Sequence, residues 1–164
     1  MTEEAGFEDA RFEDGAEQAL RLRAETAEDL AVISALLQDA VGQTSEIAWQ
    51  PRRRRFTLLL NRFRWEDAPA AARQGRPFER TRALLTIDDA FAARASGVDP
   101  KDRDLVLSLL AIEFDAGEDG AGLVRLLLAG DGEIALDVEC LEVALTDVTQ
   151  PYVAPSGKVP GHPA

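Results

Sequence analysis

Residues 134–148 carry the most regular alternation of apolar and polar side chains in this sequence. Apolar residues occupy every second position as far as Val138, which is the period of a half-buried β-strand. Beyond Val138 the apolar set moves by one position, so a single continuous strand requires a β-bulge near Glu139 and Cys140. Asp137 and Glu139 are then predicted to be exposed. The side chains predicted to be buried are Ile134, Leu136, Val138, Leu141 and Val143.

Two further apolar runs precede this strand, each ending in a glycine-rich turn. Residues 105–115 lead into the turn at 117–122, and residues 123–129 lead into Gly130-Asp131-Gly132. Three successive strands with short turns predict an antiparallel meander. The first of these runs is apolar on both faces, so we expect that strand to lie in the middle of the sheet.

The first half of the chain predicts a short strand, one helix and a hairpin. Leucines alternate with arginines over residues 19–24, and Thr26 with the acids after it is typical of a helix N-terminus. The helix is predicted over residues 26–41, with Gly42 as its C-terminal stop. The segments predicted after it are strands at 45–50 and 55–64 joined by a turn at 51–54, a loop at 66–78, and a strand at 82–95 that bends at Asp88 and Asp89.

These elements predict a single α+β domain over residues 19–150. Its core is an antiparallel, strongly twisted sheet of about seven strands, with the 26–41 helix on one face. A closed or half-open barrel is the main variant, because long bulged strands curl. The flanking segments, an acidic tail at 1–18 and a proline- and glycine-containing tail at 151–164, are predicted to be disordered.

The composition narrows the class of protein. A chain of 164 residues with 46% hydrophobic residues suits one domain, and no apolar run approaches the roughly 18 residues of a membrane span. The N-terminus lacks an apolar signal segment, and one cysteine cannot form an internal disulfide, so we expect a cytoplasmic location. The net charge of −12 argues against binding of nucleic acid or membrane by the molecule as a whole.

Few residues offer catalytic or metal chemistry. His162 is the only histidine and lies in the C-terminal tail, while Cys140 is predicted to be an inert core side chain with no activating base nearby. One histidine and one cysteine exclude zinc sites of the His/Cys type, and no phosphate-binding or dinucleotide-binding glycine motif is present. We therefore expect no cofactor and no metal, and we rank an enzyme using only carboxylates and arginines third among the functions.

Arginines are concentrated in one region of the sequence. Residues 51–82 hold ten arginines against three acids, a net charge of +7. Aromatic rings beside guanidinium groups suit single-stranded nucleic acid, and they equally suit an acidic protein partner. The alternative is that the aromatics are core and the arginines are a solvated sheet edge. The candidate binding residues are Trp49, Arg52, Arg53, Arg54, Arg55, Arg62 and Arg64.

The favoured function is a non-enzymatic binding or regulatory module acting through the arginine-rich hairpin at 52–64. Its expected partner is an acidic protein or a second copy of the chain, with RNA or phosphate as the alternative ligand and no membrane. Residues 1–18 carry a net charge of −6 and a repeat of Phe7-Glu8-Asp9 and Phe12-Glu13-Asp14. One hypothesis is that this tail folds back over residues 52–55; the other is that it only increases solubility.

Two sequence blocks resemble a known family. The first is Ile47-Ala48-Trp49-Gln50-Pro51 with the following Arg55-Phe56-Thr57-Leu58-Leu59-Leu60-Asn61-Arg62-Phe63-Arg64-Trp65-Glu66, and the second is Leu136-Asp137-Val138-Glu139-Cys140-Leu141-Glu142. They resemble the alphaproteobacterial domain-of-unknown-function family DUF2948 over roughly residues 19–150. The resemblance implies a small bacterial cytosolic protein and carries no activity.

Overall fold

The structure, a computed structural model, describes residues 19–99, 101–153 and 159–160. Two α-helices and eleven β-strands lie in these ranges, and all of the strands belong to one sheet. The helices are α1 (Ala27–Leu36) and α2 (Ala68–Gln74), and the strands are β1 (Arg21–Ala24), β2 (Ala40–Gln43), β3 (Ile47–Gln50), β4 (Arg55–Phe63), β5 (Glu79–Ile87), β6 (Ala90–Ser96), β7 (Val106–Ala116), β8 (Gly122–Leu128), β9 (Glu133–Val138), β10 (Val143–Asp147) and β11 (Tyr152–Val153).

The sheet is open and its described pairings are antiparallel. Its strands follow the order β1-β10-β5-β4-β2-β7-β8-β9-β6, with β3 beside β4 and β11 beside β5. The α+β class is therefore confirmed, whereas the predictions of about seven strands and of a barrel are wrong. The count rises because two predicted strands each divide in two, and because β2 and β11 form where no strand was predicted.

The predicted β-bulge near residues 139–140 is wrong, although the burial pattern behind it is correct. β9 ends at Val138 and pairs with β8 and β6, whereas β10 begins at Val143 and pairs with β1 and β5. The shift in phase marks a change of neighbours, because each strand buries its own apolar face. Leu136 and Leu141 are buried, Glu139 is exposed and Asp137 is half-exposed.

The predicted N-terminus of the first helix is confirmed. Thr26 caps α1, since its Oγ1 accepts a hydrogen bond from the Asp29 backbone N–H at 3.1 Å. The C-terminus is earlier than predicted, because Asp39 adopts a left-handed φ of 63° and turns the chain into β2. Gly42 lies inside β2, where a Cβ atom would come within 2.9 Å of the Leu59 carbonyl oxygen. It therefore allows two strands to approach closely and does not end a helix.

The bends and turns after β4 were predicted in part. Asp89 has a φ of 60° at the predicted bend, where β5 ends and β6 departs to pair with β9. The predicted meander is confirmed as β7, β8 and β9, and β7 lies between β2 and β8 in mid-sheet. The predicted loop at 66–78 instead contains α2, which ends at Gly75 with a φ of 67°.

Neither helix in the described ranges is long and apolar enough to cross a membrane.

One apolar core lies between the two halves of the folded sheet. Leu58 and Leu85 from β4 and β5 belong to the same buried cluster as Leu126 and Leu136 from β8 and β9. Helix α1 adds Leu30, Ile33 and Leu37 to this cluster. The predicted tail at 1–18 lies outside the described residues, and most of the predicted 151–164 tail does too, although Tyr152–Val153 form the short strand on β5.

Candidate functional site

The four consecutive arginines stand at a tight turn, as predicted. Residues 51–54 join β3 to β4, and the turn is closed by hydrogen bonds from Arg53 N–H to the Gln50 carbonyl and from Arg54 N–H to the Pro51 carbonyl, both at 3.1 Å. Arg54 takes a left-handed φ of 54°. The name arginine turn is used below for residues 52–55, all of which are exposed.

Two of these arginines are held by neighbouring side chains. Arg54 Nη1 lies 3.0 Å from Glu139 Oε1, and its guanidinium carbon lies 4.8 Å from the centre of the Phe91 ring. Arg55 Nε donates to Asp88 Oδ1 at 2.7 Å. These contacts connect the arginine turn to the Asp88-Asp89 corner and to the end of β9. Arg54 therefore bridges the arginine turn to the residue after β9, and Arg55 links β4 to the corner after β5.

The other two arginines have no such partner. Arg52 and Arg53 are exposed, and neither side chain forms a hydrogen bond or ion pair with any residue that the structure describes. Adjacent like charges repel each other, and a β-turn has no structural need for them. The pair is thus available to an external anion.

Arg62 lies in the interior rather than on the predicted binding surface. Its side chain is 0% exposed, and the guanidinium donates to both carboxylate oxygens of Asp147 on β10 at 3.0 and 2.9 Å. It also donates to both oxygens of Glu66 at 2.9 and 2.8 Å. Burial favours the uncharged form, but these hydrogen bonds outweigh it and hold the pKa of Arg62 above its ordinary value. The same contacts lower the pKa of Glu66 against the effect of its burial.

Arg64 is also buried and belongs to a second group of ion pairs. Its Nη1 donates to Glu79 Oε1 at 2.5 Å and lies 3.7 Å from Asp67 Oδ2. Arg76 donates to both oxygens of Asp67 at 3.2 Å, which ties the end of α2 back to its start. These contacts hold the segment after β4 against β5. Sequence reasoning missed the interior position of Arg62, although Arg62 continues the every-second-residue spacing of the buried Leu58 and Leu60. The carboxylate of Asp147, which pairs with the buried guanidinium, follows 85 residues later.

Trp49 lies in an apolar groove beside the arginine turn. It is half-buried and stands opposite Phe56 in the β3–β4 register. The groove has a volume of about 180 Å³ and lies between β3 and β6. Its lining residues are Ile47, Trp49, Phe56, Ala93, Arg94, Ala95 and Ile134. Sequence reasoning missed the contribution of β6, since nothing in the local pattern places it next to β3.

Cys140 is exposed, so its predicted place in the core is wrong. It lies between β9 and β10, where the chain crosses from one part of the sheet to another. The Cys140 thiol donates to Asp89 Oδ2 at 3.2 Å, and this hydrogen bond to a carboxylate raises the pKa of the thiol. Glu139 and Glu142 raise it further. The thiolate is therefore disfavoured, and the environment is the opposite of that of a nucleophilic cysteine.

The described part of the chain offers no cation site. Among residues 19–99, 101–153 and 159–160, no three His, Cys, Asp or Glu side chains are grouped so that they could hold a metal ion. His162 lies outside these ranges. Acidic side chains near the arginine turn and the groove form ion pairs with arginines, as Asp137 does with Arg94 at 2.7 Å.

Comparison with known proteins shows the family. Residues 20–162, nearly the whole chain, match the family described as Protein of unknown function (DUF2948). The chain is a member of DUF2948. No curated protein and no solved structure matches it. The blocks that carry the resemblance in this DUF2948 chain form β3, β4 with its buried ion pairs, and the link from β9 to β10.

Proposed function

We propose that this DUF2948 protein is a non-enzymatic binding module whose arginine turn recognises an acidic segment of a protein partner. The proposal rests on a difference between the four arginines of the turn in whether an acidic side chain pairs with them. Arg54 and Arg55 pair with Glu139 and Asp88. Arg52 and Arg53 are exposed and pair with no acid in the part of the chain that the structure describes. A pair of adjacent guanidinium groups on a rigid hairpin suits bidentate recognition of carboxylates.

Three features favour a protein ligand over nucleic acid. The net charge of −12 repels a long polyanion. Affinity for nucleic acid grows with the number of phosphates that Lys and Arg neutralise, and the two arginines without a described partner can neutralise few. The Phe91 ring is covered on one face by Arg54, and Trp49 is half-buried, so base stacking on either ring is restricted. A short acidic segment needs only the few contacts that the turn offers.

The test uses two defined probes, a fluorescent deca-glutamate peptide and a single-stranded oligouridylate of 12 nucleotides. Binding is measured by fluorescence anisotropy at low and moderate salt, for the full chain and for a variant lacking residues 1–17. The double variant Arg52→Glu/Arg53→Glu should bind deca-glutamate about tenfold more weakly, because it removes two exposed ion pairs of up to about 1 kcal/mol each and places two repelling carboxylates in the turn. The oligouridylate should bind more weakly than the peptide.

The matched control is Arg21→Glu/Arg103→Glu, which makes the same change of net charge at two exposed arginines away from the turn. At moderate salt it should change deca-glutamate binding by no more than about twofold, since exposed charges farther apart than a Debye length of about 8–10 Å are then largely screened. Equal losses in both double variants would contradict a local site. Tighter binding of the oligouridylate than of the peptide would replace the proposal with a nucleic-acid function.

A further inference from the structure

Two strand edges remain unpaired beside the arginine turn. Among the described strands, β3 pairs with β4 alone and β6 pairs with β9 alone. At the end next to the turn, Ala90 N–H donates to the Arg54 carbonyl at 3.0 Å. From that point the two strands border the groove described above, with Trp49 on one side and Ala93 on the other.

An unpaired strand edge can form backbone hydrogen bonds with an added strand, and the groove beside it determines which side chains that strand can have. Extended peptides bind by pairing with an exposed sheet edge, while pockets select alternate side chains. An apolar cavity of about 150 Å³ accommodates a benzene molecule. The groove of about 180 Å³ therefore has room for one aromatic side chain, in contact with Trp49 and Phe56.

The charges around the groove select the residues next to that aromatic side chain. Arg94 lines the groove and already has Asp137 as its partner. Arg52 and Arg53 lie three and four residues from Trp49 and have no acidic partner among the described residues. The fitting ligand is an extended segment with an aromatic residue followed by one or two carboxylates. This description deepens, and rests on, the proposed role of the arginine turn.

The chain itself contains this arrangement twice, as Phe7-Glu8-Asp9 and as Phe12-Glu13-Asp14. We propose that the segment at residues 7–14 of the same chain occupies the groove, with Phe7 against Trp49 and its acids at Arg52 and Arg53. An acidic partner would then have to displace this segment to reach the arginine turn.

The length of the connection decides between the two phenylalanines. The described chain starts beside β1, where Leu20 N–H donates to Asp147, and four strand spacings of about 4.8 Å separate β1 from β3. The groove is also displaced by about four residues along the strands, or about 13 Å, so the path is about 23 Å. Phe12 precedes Leu20 by about 8 residues and reaches at most about 29 Å; Phe7 reaches about 45 Å. Phe12 could span the path only with a nearly extended connection, whereas Phe7 spans it with a relaxed one, so Phe7 is favoured.

The experiment follows Trp49, one of two tryptophans in the chain. Trp65→Phe leaves Trp49 as the sole tryptophan, which is excited selectively over Tyr152 at the red edge of the absorption band. The two assigned indole N–H signals in NMR provide the same information without that substitution. Removing residues 1–17 should shift the Trp49 emission to the red and move its indole signal. A synthetic peptide of residues 5–15 should reverse both changes in a saturable manner.

Phe7→Ala in the full chain should reproduce the effect of the truncation, and Phe12→Ala is the matched control that should not. An unchanged Trp49 signal in the truncated or Phe7→Ala chain would overturn the docking, and a response to Phe12→Ala alone would overturn the choice of Phe7. Binding of deca-glutamate tests the proposed function independently of the docking. If the truncated chain still binds deca-glutamate through Arg52 and Arg53, the arginine turn is functional even where the docking fails.

Discussion

Replacing Arg62 by methionine should destabilise the fold strongly at neutral pH. The substitution keeps an unbranched apolar stem and removes the guanidinium that bridges Asp147 and Glu66. The Asp147 side chain is 5% exposed, so its carboxylate would remain buried without a cation. Breaking a buried pair in this way costs about 3–5 kcal/mol. With a urea m-value of about 1–3 kcal/mol/M, the midpoint of unfolding should fall by on the order of 2 M.

The measurement is urea unfolding at pH 7 followed by tryptophan fluorescence and circular dichroism. Arg62→Met/Asp147→Leu should recover part of the lost stability, because it removes the buried Asp147 carboxylate together with its cation. Recovery is incomplete because Glu66 also loses Arg62, although its side chain is 32% exposed and Arg64 lies 3.6 Å away. Arg82→Met, at an exposed arginine on β5, is the control and should stay within about 0.5 kcal/mol. A single variant that loses less than about 1 kcal/mol, or a double variant less stable than the single one, would refute the reasoning.

Three further predictions concern other parts of the molecule. Leu136→Ala should lower the free energy of unfolding by about 2–5 kcal/mol, and a loss below about 0.5 kcal/mol in urea unfolding would contradict its place in the core. The folded state lowers the pKa of Glu66, so this carboxylate stabilises the fold above about pH 4.5 and ceases to do so as the pH falls below that value. Glu66→Gln should therefore weaken the dependence of the free energy of unfolding on pH in this range. An unchanged dependence would count against the ion pair. Asp89→Asn should speed the labelling of Cys140 by a thiol reagent at pH 8, because it removes the carboxylate that raises the thiol pKa; equal rates would argue against that hydrogen bond.

The elements that the sequence predicted correctly are those with a local physical signal. Thr26 and the acids after it form an N-cap, and the Asp88-Asp89 pair marks a bend at which one residue takes a left-handed φ. The meander follows from alternation interrupted by glycine turns, and the arginine turn follows from its proline. The cap, the bend and the arginine turn are fixed within a few residues, and the strand pairs of the meander lie at most 19 residues apart, as Leu109 and Leu128 do.

The elements that could not be predicted depend on distant partners. β2 continues the apolar spacing of the helix before it, and it is a strand only because β4 and β7 hydrogen-bond to it from both sides. Arg62 continues the buried spacing of Leu58 and Leu60 along β4, but its charge points to the surface until the distant Asp147 is known to pair with it. The groove likewise depends on β6, which reaches β3 through its pairing with β9. Pairings between distant segments leave no mark on a local pattern.

The position of β10 between β1 and β5 has a consequence for synthesis of the chain. Arg21 in β1 pairs with Thr146 in β10. The first described strand to be synthesised therefore has no neighbouring strand to hydrogen-bond with until about 125 further residues have been added. Until then β1 is unattached, and β5 presents an open edge along most of its length. Strand edges exposed in this way promote association with other unfinished chains. We therefore expect translation that stops before Val143 to yield aggregation-prone chains, and the last strands to be the step that commits the molecule to its native state.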